Sequence, residues 1–305
     1  MNHPDPQAAR DAIEALNAGC FCISVDPSVL RSQLEADADT RGLYDSLAWA
    51  PPIARFEPGT AGVLMGYDFH VTPEGPRLIE INANAGGAFL NAALSRARQA
   101  CCEPVFSVPR QPVAADALEE ALYAMFEAEW RRRRGDEPLR RVAIVDEQPA
   151  GQYLYPEFLL AAQMFRRHGV DAVICDPSAL VYRDGELRDL TGRIDLVCNR
   201  LTDFALDSPA HAALRSAYLA GAAVVTPHPR AHALHADKRN LAMLCNAGLL
   251  ASWGVEATRI DVLRRMVPHT RIDDPALGEE LWAARKGLFF KPVAGYGGKA
   301  IAATG

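Results

Sequence analysis

The sequence predicts an α/β protein that contains a parallel sheet. Four short apolar segments rich in β-branched residues follow one another in the second half of the chain, and helical segments separate them. The four segments are VAIV at 142–145, AVIC at 172–175, DLVCN at 195–199 and AAVVT at 222–226. Strands that alternate with helices are typical of a parallel sheet covered by helices. The composition is that of a globular protein, since 49% of the 305 residues are hydrophobic and 23% are charged.

The elements around these strands follow from periodicity and from turn residues. Residues 10–49 have apolar residues at helical spacing, and proline and glycine interrupt the pattern at 51–62. Further helices are predicted at 89–102, 117–134, 155–169, 210–221 and 237–249. The stretch VYRDGELRD at 181–189 predicts a hairpin with Asp184 and Gly185 at its turn. The last residues, 287–305, predict a strand, a glycine-rich loop and the start of another strand.

Charge and hydropathy exclude several classes of partner. Lysine and arginine number 32 against 38 aspartates and glutamates, and this net charge of −6 argues against nucleic acid as the main partner. The first residues lack a cationic stretch before an apolar core, and no apolar run approaches the ~18 residues that span a bilayer. We expect a cytoplasmic protein without a membrane partner, and the oligomeric state stays open. The seven cysteines lack zinc-site spacing and predict reduced thiols.

A predicted hairpin places oxygen ligands together. If 63–71 and 77–82 are antiparallel strands with the turn centred on Glu74, Asp68 faces Glu80. Asn82 then shares the face of Glu80, because side chains alternate along a strand. Opposed carboxylates repel, and a hard cation such as Mg²⁺ removes that repulsion. Asp68, Glu80 and Asn82 are therefore candidate Mg²⁺ ligands, and the alternative is a surface hairpin with a polar outer face.

The glycine-rich loop near the end of the sequence is a candidate phosphate site. Lys291 ends an apolar strand and can supply a positive charge beside phosphates. The loop that follows contains Gly295, Tyr296, Gly297 and Gly298, and successive N–H groups of such loops can hold phosphate oxygens. The spacing is not that of the Walker A loop. A plain hairpin turn is the alternative.

Taken together, these segments resemble the ATP-grasp superfamily of carboxylate–amine ligases. The hairpin sequence GYDFHVTPEGPRLIEINANAGG at 66–87 is similar to the one that binds two Mg²⁺ ions in that superfamily. The resemblance implies metal roles for Asp68, Glu80 and Asn82. It also implies that Lys238, in an Asp-Lys pair that opens a helix, and Lys291 contact the nucleotide.

The order of the segments resembles a circularly permuted member of the superfamily. The metal hairpin comes first here, as in the glutathionylspermidine-synthetase-like group, whereas it comes last in most ATP-grasp enzymes. The family continues beyond the glycine-rich loop, whereas this sequence stops at Gly305, so we expect an incomplete grasp. The predicted division is a metal-binding half with N-terminal helices at 1–110, a helical connector at 111–137, a parallel α/β pre-grasp domain at 138–230 and the start of the nucleotide-binding subdomain at 231–305.

The resemblance implies a ligase that uses ATP and Mg²⁺. Such an enzyme activates a small-molecule or peptide-like carboxylate as an acyl phosphate, which an amine then attacks. The alternatives are an ATP-grasp kinase that phosphorylates a hydroxyl and a non-catalytic nucleotide-binding remnant. Because ligands of α/β sheets bind near the carboxyl ends of the strands, Asn199, Arg200 and Asp203 are candidate substrate residues. The alternative for these three residues is a helix cap with a surface salt bridge.

Overall fold

The structure is a computed structural model that describes residues 52–102, 115–272, 274–291 and 302–303. The predicted helix at 10–49 and the loop residues Gly295, Tyr296, Gly297 and Gly298 lie outside the described residues. The chain divides into two compact units. The hairpin unit contains, of the described residues, 67–80, 238–272, 274–291 and 302–303. The sheet unit contains, of the described residues, 52–66, 81–102 and 115–237.

The predicted hairpin forms, with different bounds. Strand β1 (Gly66–Thr72) pairs with β2 (Gly75–Asn82) in a two-stranded sheet. The predicted connection is therefore wrong in length, since only two residues lie between the strands. Gly75 has a φ of 117°, which glycine adopts without a side-chain clash. The Thr72 hydroxyl donates a hydrogen bond of 2.9 Å to the Gly75 carbonyl and closes the turn.

The start of β1 is also later than predicted. Val63 and Leu64 are buried in the core of the sheet unit and do not belong to the strand. The backbone N–H of Val63 donates to the Thr226 hydroxyl at 3.1 Å. Leu64 has a φ of 57°, which lies outside the extended region, so the strand can begin only after this residue.

The sheet unit confirms the predicted α/β class and the four parallel strands. The strand order is β4 (Asp171–Cys175), β3 (Arg141–Val145), β7 (Leu196–Asn199) and β8 (Val224–Thr226), and each neighbouring pair is parallel. The predicted hairpin at 181–189 is confirmed as β5 (Val181–Arg183) and β6 (Glu186–Arg188), and its turn residues Asp184 and Gly185 have φ values of 54° and 77°. The elements are α1 (Ala88–Cys102), α2 (Ala115–Arg134), β3 (Arg141–Val145), α3 (Tyr155–Arg167), β4 (Asp171–Cys175), β5 (Val181–Arg183), β6 (Glu186–Arg188), β7 (Leu196–Asn199), α4 (Ala212–Leu219) and β8 (Val224–Thr226).

Helices cover both faces of the parallel sheet. Alternate residues of β3 belong to different cores, because side chains alternate across a strand. Val142 and Ile144 pack in the core that includes α1, α2 and α3, and Ala143 and Val145 pack in the core that includes α4. Both faces are therefore apolar, which is why these strands read as continuous hydrophobic runs in the sequence.

The remaining elements belong to the hairpin unit. The single helix predicted at 237–249 is wrong, because the chain forms two helices there. The Asn246 side chain breaks the pattern, since its Oδ1 accepts the Leu249 N–H at 3.0 Å and caps the second helix. The elements are α5 (Arg239–Leu244), α6 (Ala247–Ser252), α7 (Ala257–Met266), α8 (Gly278–Ala284), β9 (Phe289–Phe290) and β10 (Ala302–Ala303), with β9 and β10 antiparallel. No helix in the described ranges is both long and apolar enough to cross a membrane.

Candidate functional site

Three charged residues from distant parts of the sequence meet in the hairpin unit. The Glu80 carboxylate lies 3.2 Å from the ammonium of Lys238 and 3.8 Å from that of Lys291. The side chains of Glu80, Lys238 and Lys291 are 18%, 12% and 19% exposed. We call these residues the lysine–glutamate cluster. It unites one predicted metal ligand with the two lysines that are predicted to contact the nucleotide.

Secondary structure holds each member of the cluster. Leu78 is fully buried and shares a face of β2 with Glu80, so this face of the hairpin is packed and is not a solvated polar surface. Lys291 directly follows β9, and its ammonium donates to the Ile79 carbonyl at 3.0 Å. Lys238 immediately precedes α5. Each side chain is therefore attached to the end or the interior of an ordered element.

Burial shapes the electrostatics of the cluster. It lowers the pKa of Lys291, because removal of water disfavours the charged ammonium. The positive charge of Lys238 lowers it further, and the negative charges of Glu80 and Asp68 oppose the shift. Asp68 therefore belongs to the same electrostatic environment. Two cations face Glu80, and Asp68 adds a second negative charge to their surroundings.

The other predicted metal ligands lie on the same hairpin. Asp68 is exposed in β1, and Asn82 is half-buried at the end of β2, on the strand face of Glu80. The residue that faces Asp68 in β2 stays a prediction. Within the described ranges, no group of three or more His, Cys, Asp or Glu side chains is arranged to hold a metal. The predicted set differs in composition, since it has two carboxylates and one amide.

The predicted substrate residues lie at the carboxyl ends of the parallel strands, in the sheet unit. Asn199 is buried, and both ends of its amide are used locally. Its Oδ1 accepts the Leu201 N–H at 3.1 Å, and its Nδ2 donates to the Pro227 carbonyl at 3.3 Å. Asn199 therefore fixes the backbone after β7 and β8.

Arg200 follows Asn199 and is only 8% exposed. Its Nη1 donates a hydrogen bond to Oδ1 of Asn84, and Nδ2 of Asn84 donates to the Leu201 carbonyl at 3.2 Å. These bonds join the end of β7 to the segment after β2. Arg200 is therefore a buried guanidinium at the sheet edge, which is different from the surface salt bridge considered as the alternative.

Asp203 contacts a histidine that the sequence did not single out. Fully buried His211 places Nδ1 2.7 Å from Oδ2 of Asp203 and Nε2 3.0 Å from Oε1 of Glu147. Burial alone would raise the pKa of Asp203, but bonds from the Ser208 N–H and His211 outweigh it and lower the pKa. Two carboxylates thus hold one imidazole between the ends of β3 and β7. In the sequence, Glu147 is marked only as the second of two adjacent acidic residues that follow β3.

The amino ends of the same strands border an open cleft. Its volume is about 670 Å³, and Arg140, Arg141, Arg193, Asp171 and Asp195 are among the residues that line it. Arg141 lies 3.3 Å from Asp171, and Arg193 lies 3.4 Å from Asp195. Most of the charge in the cleft is thus neutralised internally, so the carboxyl edge is the stronger candidate for ligand binding.

Comparisons with known proteins give no family for this chain. No protein-family model matches it, and no curated protein sequence matches it. The function is therefore argued from the residues and their geometry.

Proposed function

We propose that this protein is an ATP- and Mg²⁺-dependent ligase of circularly permuted ATP-grasp type, which joins a carboxylate to an amine. The lysine–glutamate cluster carries the proposal. Glu80 lies about 160 residues before Lys238 and about 210 residues before Lys291. Sequence patterns selected Glu80 as a metal ligand and Lys291 as a phosphate contact, and the family resemblance selected Lys238. A structural ion pair needs only one lysine, whereas here two ammonium groups approach one carboxylate, and neighbouring ammonium groups can contact phosphate oxygens.

The proposed nucleotide site uses the ammonium groups of Lys238 and Lys291 as phosphate partners. Glu80 orients both lysines in the absence of nucleotide. Asp68, Glu80 and Asn82 would hold Mg²⁺, because carboxylate and amide oxygens suit this hard cation. When bound, Mg²⁺ neutralises charge on the phosphates during transfer. Gly295, Tyr296, Gly297 and Gly298 stay predicted nucleotide contacts.

The proposed acid site lies at the carboxyl edge of the parallel sheet. Arg200 is the candidate partner of the substrate carboxylate, because a guanidinium matches a carboxylate with two parallel hydrogen bonds. Asn199 and Asp203 act through their bonds to neighbouring backbone and to His211, so we assign them positioning roles.

The proposed reaction has two steps. A substrate carboxylate oxygen takes the γ-phosphoryl group of ATP, which gives an acyl phosphate and ADP. The amine then attacks the acyl carbon, and an amide forms as inorganic phosphate leaves. Positioned charges carry most of such catalysis, so no nucleophilic side chain is required.

Calorimetric titration of the whole chain tests the nucleotide site. We expect saturable ATP binding in the presence of Mg²⁺ and binding weaker by about tenfold or more with a chelator, because metal and lysines share the phosphates. An absence of ATP binding with Mg²⁺ present would overturn the proposal. Phosphate release that requires both an acid and an amine supports the ligase, whereas a phosphorylated hydroxyl product without an amine requirement indicates a kinase.

A further inference from the structure

The segment that follows β2 is fixed to its neighbours. We call residues 83–87 the brace, which connects the end of β2 to α1 within the sheet unit. The Ala85 N–H donates to the Leu64 carbonyl at 2.8 Å, and the Gly87 N–H donates to Oε2 of Glu157 at 2.5 Å. The brace is therefore bonded at several points and is not a free loop.

Asn84 is the central anchor of the brace, because its amide is used at both ends. Its Oδ1 accepts a hydrogen bond from Nη1 of Arg200, and its Nδ2 donates to the Leu201 carbonyl at 3.2 Å. Arg200 is itself fixed, since its backbone N–H donates to the Val145 carbonyl at 2.9 Å. The brace is thus tied to the ends of β3 and β7, which are the two central strands of the sheet.

Two glycines show how closely the brace packs. A Cβ added at Gly66 would lie 2.8 Å from Cβ of Ala85 and 3.5 Å from Cβ of Asn82. A Cβ added at Gly86 would lie 2.7 Å from Cδ1 of Leu154. Carbon atoms in contact lie about 3.5 to 4.0 Å apart, so a side chain at either glycine would displace a neighbour. A displacement of the brace therefore moves Asn82, because closely packed groups cannot shift independently.

Asn82 depends on such support more than the other members of the proposed Mg²⁺ set. Its amide has one oxygen that can bind a cation, whereas Asp68 and Glu80 each offer two charged oxygens. Mg²⁺ demands a nearly ideal octahedral arrangement of ligands, so a misplaced amide oxygen contributes little. Replacement of residues that orient metal ligands typically weakens metal binding by about 10- to 100-fold.

We propose that Asn84 and Arg200 are positioning residues for the metal site. Their hydrogen bond holds the brace, and the brace holds the amide of Asn82 in place. The inference rests on the proposed function for the metal site itself, and it gives Arg200 a role that needs no substrate. Neither residue contacts the metal or the nucleotide in this assignment.

The dependence of ATP affinity on Mg²⁺ tests the assignment. ATP is titrated calorimetrically into the whole chain with Mg²⁺ and with a chelator, and the ratio of the two Kd values is the readout. In the wild-type protein we expect a ratio of about tenfold or more. In Asn84→Ala the ratio should fall below about threefold, while the affinity for metal-free ATP stays within about twofold of wild type. A general loss of structure would weaken both titrations together, so the ratio isolates the metal.

Matched variants separate positioning from other effects. Asn91→Ala removes an exposed amide of α1 and should keep the wild-type ratio. Arg200→Met should lower the ratio as Asn84→Ala does. Arg200→Lys should restore most of it, because one ammonium N–H can replace the single bond from Nη1 to Asn84. If Asn84→Ala fails to fold, Gly66→Ala decides, since its Cβ displaces the brace without removal of any hydrogen-bonding group.

A wild-type ratio in folded Asn84→Ala or, in its place, in Gly66→Ala would overturn the inference. An equal loss of affinity with and without Mg²⁺ would also overturn it. In both cases the wild-type protein still binds ATP with Mg²⁺, so the proposed function stands. A wild-type protein that does not bind ATP with Mg²⁺ would instead overturn the proposed function, and the inference with it.

Discussion

The Glu80 carboxylate and the Lys238 ammonium are 3.2 Å apart in the hairpin unit, so a predicted metal ligand and a predicted phosphate contact form an ion pair with each other. Lys291 approaches the same carboxylate. A metal that binds Glu80 would break its contacts with the two lysines and free the lysines for phosphates. Phosphates that bind the lysines would likewise free Glu80 for the metal. Metal and nucleotide should therefore bind cooperatively.

Replacement of Glu80 by glutamine tests this coupling. MgATP at about 100 times its Kd should stabilise the wild-type protein by about 2.7 kcal/mol and raise Tm by a few degrees. In Glu80→Gln the effect of Mg²⁺ on this shift should largely disappear, because the substitution removes one of the two negative charges of the proposed Mg²⁺ site. The measurement is thermal denaturation with ATP, with Mg²⁺ and with both.

Glu74→Gln is the matched control, since Glu74 is an exposed glutamate in the turn of the same hairpin. It should retain the wild-type shift. A full Mg²⁺-dependent shift in Glu80→Gln would remove Glu80 from the metal site.

Lys291→Met should separate stability from nucleotide binding. Burial lowers the pKa of Lys291, so its charged form is less favourable in the folded protein than in the unfolded chain. The resulting loss of stability is fully present below the folded pKa and disappears as pH rises through that pKa toward the unfolded value of 10.5. The variant should therefore match or exceed wild-type stability near neutral pH, while its affinity for ATP falls.

Lys286→Met serves as the control because Lys286 is exposed in the same unit. Urea denaturation and ATP titration should give the wild-type stability and the wild-type ATP affinity for Lys286→Met. Destabilisation of the ligand-free Lys291 variant, together with normal ATP affinity, would mean that Lys291 has a purely structural role.

The α/β class and the parallel strands could be predicted from sequence because both are local patterns. β3, for example, is a short β-branched run whose two faces are both buried, and such runs are distinctive. The break between α5 and α6 could not be predicted from periodicity, because one side-chain hydrogen bond from Asn246 decides it. Helix periodicity continues through residue 246, so the competing cap was hidden.

Some candidate site residues could likewise be predicted from local sequence patterns, and others could not. Glu80 and Lys291 stand in recognisable short patterns that selected them, whereas Lys238 was selected by the family resemblance of its Asp-Lys pair. His211 and Asp146 stand in no such pattern. Their properties come from burial at the ends of β3 and β7, which depends on which strands become neighbours.

Asp146→Asn should stabilise the protein near neutral pH. Burial raises the pKa of Asp146 from 3.8 to about 6, so its ionised form is disfavoured in the folded state. The stability that a raised pKa contributes is full below 3.8 and is lost as pH rises through about 6. Asparagine does not ionise, so at about pH 7.5 the variant should gain roughly 1 kcal/mol, because water screens the partly exposed carboxylate and reduces the effect, and at about pH 4 it should gain little.

Asp176→Asn gives the opposite sign at the neighbouring strand end. A hydrogen bond from the Ser178 hydroxyl, with further bonds from backbone N–H groups, lowers the pKa of Asp176. The stability that ionised Asp176 contributes is present above pH 3.8 and is lost as the pH falls through the folded pKa. Asp176→Asn should therefore be less stable than the wild-type protein near neutral pH. Urea denaturation at about pH 7.5 and about pH 4 gives the free energy of unfolding of both variants. Stabilisation of Asp176→Asn near neutral pH, without stabilisation of Asp146→Asn, would contradict these assignments.

Glu129→Ala should be far more destabilising than a neighbouring substitution on the same helix. Glu129 of α2 is 3% exposed and accepts hydrogen bonds from the Ala61 N–H at 3.0 Å, the Gly62 N–H at 2.8 Å and the Thr226 hydroxyl at 3.0 Å. Removal leaves these donors without their acceptor, and we expect a loss of about 3 kcal/mol in the free energy of unfolding. Glu127→Ala removes only an exposed ion pair with Arg131 and should lose less than about 0.5 kcal/mol. Urea denaturation followed by circular dichroism measures both, and similar losses would show that Glu129 does not anchor the segment before β1.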